Sequence, residues 1–149
     1  MFFVELNSTK AVKMKTSNTK EKLRTNIIPP ETVDRNILEV FDYAYKDHRD
    51  IDIEITQPEF TSLCPLTGLP DFGTINIRYR PSDKIIELKS LKYYLLQYRN
   101  VGVFYEHVVN QILEDLVSVL YPKFMEIRGI FTPRGGITTT VRVVFEEKD

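Results

Sequence analysis

Cys64, the only cysteine of the 149 residues, stands in the stretch Phe60-Thr61-Ser62-Leu63-Cys64-Pro65-Leu66-Thr67-Gly68-Leu69-Pro70-Asp71-Phe72, with a carboxylate, Asp71, seven positions downstream. A free cysteine is usually a small buried hydrophobe. This one lies in a polar stretch bounded by prolines, where a thiolate can be held in place to attack an electrophile while a nearby carboxyl group handles the protons. Asp71 is the candidate for that second role. His48 and His107 are the only histidines, and neither has the setting of a Cys–His pair. A second grouping is Glu87-Leu88-Lys89-Ser90-Leu91-Lys92-Tyr93-Tyr94. If a helix starts here, Lys89 and Lys92 share a face and Ser90 can serve as N-cap, so that this end can hold an anion; the same pattern also suits a plain solvated surface. Glu106, among aromatic and aliphatic neighbours, reads as a rim residue on residue type alone, and Arg134 adjoins Gly135-Gly136, whose backbone N–H groups can be exposed in a tight turn. Gly68 and Gly73 do not form a P-loop, since Thr74 follows where Lys is required, and no dinucleotide G-x-G-x-x-G is present.

The elements that must position these residues follow from periodicity. Ile37 to Tyr43 and Ile51 to Thr56 read as strands, the second alternating Ile51, Ile53 and Ile55 with polar residues. Gln57 to Phe72, with three prolines and a glycine, reads as an ordered loop. Thr74 to Arg80 and Lys84 to Leu88, joined by Pro81-Ser82-Asp83, read as a hairpin. From Ser90 the period becomes helical, with Leu91, Tyr94, Leu95 and Tyr98 on one face and Gly102 as the stop. A second helix is predicted from about Val103 to Tyr121, with an inward stripe of Tyr105, Val109, Ile112, Leu116 and Leu120, ended by Pro122. Met125 to Phe131 and Ile137 to Glu146 close the pattern as two strands joined through Thr132 to Gly136. Strands, two helices and strands again, with no βαβ alternation, predict an α+β domain whose antiparallel sheet carries both helices on one face.

Length predicts one domain, placed at residues 31–149 after an N-terminal extension of residues 1–30. Residues 7–26 carry a net charge of +5, leaving −6 for the rest, and read as a basic arm. The overall charge of −1 argues against a partner held by global charge, nucleic acid above all. One cysteine excludes a disulfide framework and a Cys-rich metal site, so no metal is expected, and a cytoplasmic location is. No stretch approaches the ~18 apolar residues of a membrane span.

These segments together resemble one family, the short form of the NADPH-dependent 7-cyano-7-deazaguanine reductases, nitrile reductases of queuosine biosynthesis. The resemblance runs from about Glu59 to Ile137. It rests on the Phe60 to Pro65 loop, Gly68 to Phe72 with Asp71, the Glu87 to Tyr94 string, Tyr98-Arg99-Asn100, Glu106, and Phe131 to Gly136. It implies a tunnelling fold, shared with GTP cyclohydrolase I, assembled into rings, singly or stacked, with active sites between subunits. It implies Cys64 as the nucleophile forming a covalent thioimidate with the nitrile, and Asp71 as general acid and proton relay. Glu106, with Glu87 and Ser90, would bind the substrate, and Lys89, Ser90, Lys92 and Arg134 would face NADPH. Relatives commonly carry His where this chain has Tyr105, and the tail after Gly136 is plainer than theirs.

Two other functions fit part of the pattern. An amidinotransferase-type relative acting on the cyano-deazaguanine base within tRNA would use the same cysteine and acid, and would show salt-sensitive tRNA binding. A non-catalytic purine- or pterin-binding module would bind ligand without a covalent adduct.

Overall fold

The computed structural model describes residues 26–148, so the basic arm lies outside the described residues up to Asn26. Two short 3-10 turns, Pro30–Thr32 and Arg35–Ile37, lead into β1 (Val40–Asp42), β2 (Ile53–Leu63), β3 (Pro70–Arg80) and β4 (Lys84–Ile86). Helix α1 (Leu88–Leu96), a 3-10 turn (Gln97–Asn100) and helix α2 (Tyr105–Leu120) precede β5 (Phe124–Arg134) and β6 (Ile137–Glu146). The main sheet is antiparallel with strand order β2-β3-β5-β6, and β1 pairs only with β4.

Period-two alternation decides which face is dry. Ile75, Ile77 and Tyr79 of β3 and Met125, Ile127 and Phe131 of β5 are buried, while Arg78 and Arg128 between them are exposed. Against the dry face α2 sets Val108, Val109, Ile112, Leu116 and Leu120, and α1 sets Leu91, Tyr94 and Leu95, in one continuous core. Both helices therefore lie on one face, as the element order predicts. Burying each of these large side chains contributes roughly 1.5–3 kcal/mol before chain entropy is set against it.

Four expectations are corrected. Gln57 to Phe72 is mostly strand: a register shift between Gln57 and Phe60 lets the ladder step past Pro58, which has no N–H to give, so the true loop shrinks to Cys64 to Leu69. The β3–β4 hairpin does not form, because both edges of β3 are already occupied by β2 and β5; β4 turns away to β1, and the Ile86 N–H donates to the Tyr79 hydroxyl at 3.1 Å. Of Ile37 to Tyr43 only Val40–Asp42 is strand, since Asp34 caps the preceding turn by accepting from the Asn36 N–H at 2.9 Å. Helix α1 is capped by Glu87 rather than Ser90.

Helix α2 starts at Tyr105, not Val103, for a reason that shapes the site. Residues Val101 to Val103 run parallel to the end of β2, with Leu63 N–H donating to Val101 O at 2.9 Å and Val103 N–H to Leu63 O at 3.1 Å. On the other side Ile28 joins through Asn100 O and Gly102 N–H. Glycine is required at 102, because a Cβ there would lie 2.3 Å from an Ile27 methyl. This crossing fixes the start of α2 beside Cys64.

Candidate active site

Cys64 follows the last residue of β2, and its loop is closed on itself: Cys64 N–H donates to Leu69 O at 2.9 Å and Gly68 N–H to Cys64 O at 2.8 Å, with Gly68 at φ 72°. The Leu69 N–H donates to Thr67 Oγ1 at 3.3 Å. Burial pushes the Cys64 thiol up and the Asp71 charge adds to that push, but the Thr67 hydroxyl and the amides of Thr67 and Leu66 outweigh both, leaving the thiol below its ordinary pKa.

Asp71, second residue of β3, is opposite Ser62 in the ladder, and only 8% of it is exposed. Its Oδ1 accepts from the Tyr105 hydroxyl at 3.1 Å and from Arg134 Nη2, which also donates to Pro70 O. Tyr105 opens α2 with its ring stacked on Phe131, centroids 3.8 Å apart and planes 11° apart. Burial and then the adjacent Asp71 charge raise its hydroxyl above the usual phenol value, so it stays a donor. Glu106, the next residue, is exposed in the first turn of α2, where the helix dipole favours a carboxylate. Cys64, Thr67, Asp71, Tyr105, Glu106 and Arg134 share the lining of a cavity of about 360 Å³.

The other expected residues lie elsewhere. Glu87, Lys89 and Ser90 line a separate cavity of about 720 Å³ between β1 and α1, with Glu39, Phe41 and Tyr93. Glu87 caps α1, accepting from the N–H groups of Lys89 at 2.7 Å and Ser90 at 2.6 Å, and these two amides hold its carboxyl below the usual range. The helix start thus binds an anion, but the anion is its own side chain. Ser90 is buried, donating to Glu87 O at 2.8 Å and accepting from the Glu39 N–H at 2.9 Å. Lys92 lies outside this lining, its Nζ 4.9 Å from the Tyr93 ring centroid.

Sequence reasoning missed the contacts of Asp71 with Tyr105 and Arg134. Arg134, expected on the cofactor side, is found on Asp71, because the β3–β5 register brings Gly73 opposite Phe131 and so carries the end of β5 alongside Pro70 and Asp71. That register could have been found by aligning the two apolar alternations. Thr67 carried no signal beyond its nearness to Cys64.

The sequence model of the family described as QueF-like protein matches residues 70–149. A protein named NADPH-dependent 7-cyano-7-deazaguanine reductase from Chlorobium luteolum is 61% identical over 109 residues, which is 73% of this chain and 93% of the relative. Proteins of the same name from Chlorobaculum tepidum and Thermoanaerobacter pseudethanolicus are 54% identical over 115 residues (77% and 97% of the two chains) and 52% identical over 118 residues (79% and 88%). Among solved structures, the apo form of the archaeosine synthase QueF-Like superposes with a TM-score of 0.57 at 15% identity, covering 67% of this chain and 96% of that one. At that identity the likeness speaks for the fold alone, and it bears out the expected tunnelling fold.

Proposed function

This chain belongs to the QueF-like family, and from that membership we propose that it is an NADPH-dependent nitrile reductase, converting 7-cyano-7-deazaguanine to 7-aminomethyl-7-deazaguanine for queuosine synthesis. The observation that carries the reading is a nucleophile of lowered pKa, a carboxylate and a second carboxylate at the rim, Cys64, Asp71 and Glu106, in one cavity large enough for a purine-sized ligand. The Cys64 sulfur bonds to the nitrile carbon, one π bond of the nitrile opens, and the thiol proton passes through Asp71 to the nitrile nitrogen, giving a neutral thioimidate. Full reduction then takes two hydrides and two protons, and NADPH supplies hydride when bound. Asp71 delivers protons to the nitrogen, and Cys64 leaves as thiolate when the carbon–sulfur bond breaks. Glu106 offers two acceptor oxygens to the paired N–H groups of the guanine-like edge.

For the cofactor, Lys89 and Lys92 are the cations that would meet its phosphates, beside the larger cavity. Since Glu87 occupies two of the free amides of α1, those of Lys89 and Ser90, this contact would be made by ammonium groups rather than by the helix N-terminus. Glu87 and Ser90 would reach the substrate only if another copy brings them to the Cys64 cavity. Strands β2 and β6 each have one neighbour among the described strands, and Phe41, Leu88 and Tyr93 are exposed near the α1 cavity as Leu66, Leu69 and Phe104 are near Cys64. These features support a homo-oligomeric ring with sites completed between copies; the compartment proposed for it is the cytoplasm. Light scattering on the purified protein should give a mass several times that of one chain.

The direct test follows NADPH absorbance with 7-cyano-7-deazaguanine and reads intact mass for the wild type and Cys64→Ala. Cofactor oxidation plus an adduct absent from Cys64→Ala is the expected result. An adduct without oxidation, or ligand binding with neither, would overturn the proposal in favour of an amidinotransferase-type or binding-only role.

A further inference from the structure

Both donors on Asp71 converge on one oxygen. Tyr105 Oη, at 3.1 Å, and Arg134 Nη2 meet Oδ1, while Oδ2 has no hydrogen-bond partner among the described residues and belongs to a side chain that lines the Cys64 cavity. Each donor is itself held. The Tyr105 ring is stacked on the buried Phe131, and Arg134 is tied to Pro70 O. A carboxylate gripped at one oxygen cannot turn freely about its Cβ–Cγ bond, so the other oxygen keeps one direction.

We infer that Tyr105 and Arg134 are positioning residues that clamp Oδ1 of Asp71 and leave Oδ2 as the oxygen that exchanges protons with Cys64 and the substrate nitrogen. The inference rests on the reductase reading for the identity of the substrate, but the clamp belongs to the protein alone. Oδ2 takes the Cys64 thiol proton as the carbon–sulfur bond forms and gives it to the nitrile nitrogen; the carboxylate is regenerated and no further reagent is needed. Tyr105 donates throughout and does not change charge. The other ionisable groups facing this point are Arg134 from β5, Glu106 from α2 and Cys64 from the loop before β3; His107 packs edge-on against Phe104 and does not line the cavity. The lining contains no histidine, the side chain whose ordinary pKa lies near 6.5.

Three variants test this: Tyr105→Phe, which keeps the stacked ring and removes the donor, Tyr105→His, and Asp71→Asn. The first readout is the pH profile of Cys64 alkylation by iodoacetamide, specific here because the chain has one cysteine. Asp71→Asn should move its midpoint down, since the Asp71 charge raises the thiol. Tyr105→Phe should move it part of the way in the same direction, because a released carboxylate turns toward solvent. The second readout is turnover. Tyr105→Phe should lower kcat about tenfold, the value of one hydrogen bond to a charged group, with the KM for the nitrile substrate within about twofold. Tyr105→His should add an inflection near pH 6.5 to kcat/KM that the wild type lacks. An alkylation midpoint in Tyr105→Phe equal to that of the wild type overturns the clamp, even if the protein reduces no nitrile. A wild-type protein without NADPH oxidation but with the shifted midpoint overturns the reductase reading and keeps the clamp. If Tyr105→Phe proves unstable by thermal melt, Arg134→Lys, which keeps the cation and removes the guanidinium that ties Asp71 to Pro70, carries the same alkylation test with the same expected direction.

Discussion

Around Cys64 the polar side chains bond to one another and leave one oxygen of Asp71 unpaired among the described residues, whereas around Ser90 they are satisfied by nearby backbone. Ser90 has both its donor and its acceptor satisfied by backbone, and the Glu87 carboxylate is taken by two amides of the helix it starts. In the Cys64 cavity the backbone hydrogen bonds close the loop, and Asp71 is held at a single oxygen by side chains. The same residue types thus serve opposite ends. A carboxylate saturated by local amides builds structure, while one held on one side by distant elements keeps an oxygen for chemistry.

The largest effect that would sharpen this contrast is on turnover. Asp71→Asn should lower kcat by roughly 10²- to 10⁴-fold, the usual contribution of a positioned proton-transfer group, with little change in melting temperature. A loss below tenfold would mean that the free oxygen carries no proton. At the other cavity, replacing Lys89 and Lys92 together by Ala should raise the KM for NADPH about tenfold and leave kcat within about twofold, since these cations bind ground and transition states alike. That rise should shrink as salt is added. A fall in kcat with KM unchanged would break the division between a reacting cavity and a binding one.

A smaller effect links the Cys64 cavity to the core. Gly129 lies opposite Ile75 in the sheet, and a Cβ there would lie 2.7 Å from a Val109 methyl and 2.8 Å from the Phe131 ring. Both neighbours are buried, so Gly129→Ala should cost about 1–3 kcal/mol by overpacking, read as a lower midpoint of denaturant unfolding. Because Phe131 carries the Tyr105 ring, the variant should also lose turnover without touching the site. A variant destabilised yet fully active would show that the stack does not set Tyr105.

How far the sequence foretold this molecule depended on the range of the forces involved. The α2 stripe of Val109, Ile112, Leu116 and Leu120 and the alternation of β3 report local burial, and the structure buries each of those residues as the pattern predicts. Pairing is not local: the β3–β4 turn read as a hairpin because nothing near Pro81 reveals that β5, more than forty residues on, claims that edge of β3. Pro58 misled in the same way, since a bulge removes the need for its missing N–H. At the site, Cys64 and Asp71 were legible because their loop is short, and the family resemblance added Glu106. The contacts of Tyr105 and Arg134 with Asp71 depend on three elements meeting, and no single segment encodes them.

The smallest effect separates two carboxylates by sign. Two amides hold the Glu87 carboxyl below its unfolded value, so the folded state favours the charged form and the cap's contribution is full above about pH 4.3, the ordinary Glu value. It is lost as pH falls through the lower folded value. The gap in melting temperature between the wild type and Glu87→Gln should therefore be present at neutral pH and close in acid. Asp115 is the reverse case. Burial raises it, outweighing the 2.6 Å hydrogen bond from the Tyr94 hydroxyl, which also meets Tyr98 at 3.0 Å. The folded state then holds its proton longer than the unfolded chain, so stability falls as pH rises from about 3.9 toward the folded value, and Asp115→Asn should flatten that slope. Melting curves of both variants across acid pH would show slopes of opposite sign. Two slopes of the same sign would mean that Asp115 is held by Tyr94 as firmly as Glu87 is by its amides, and that burial does not separate core from cap.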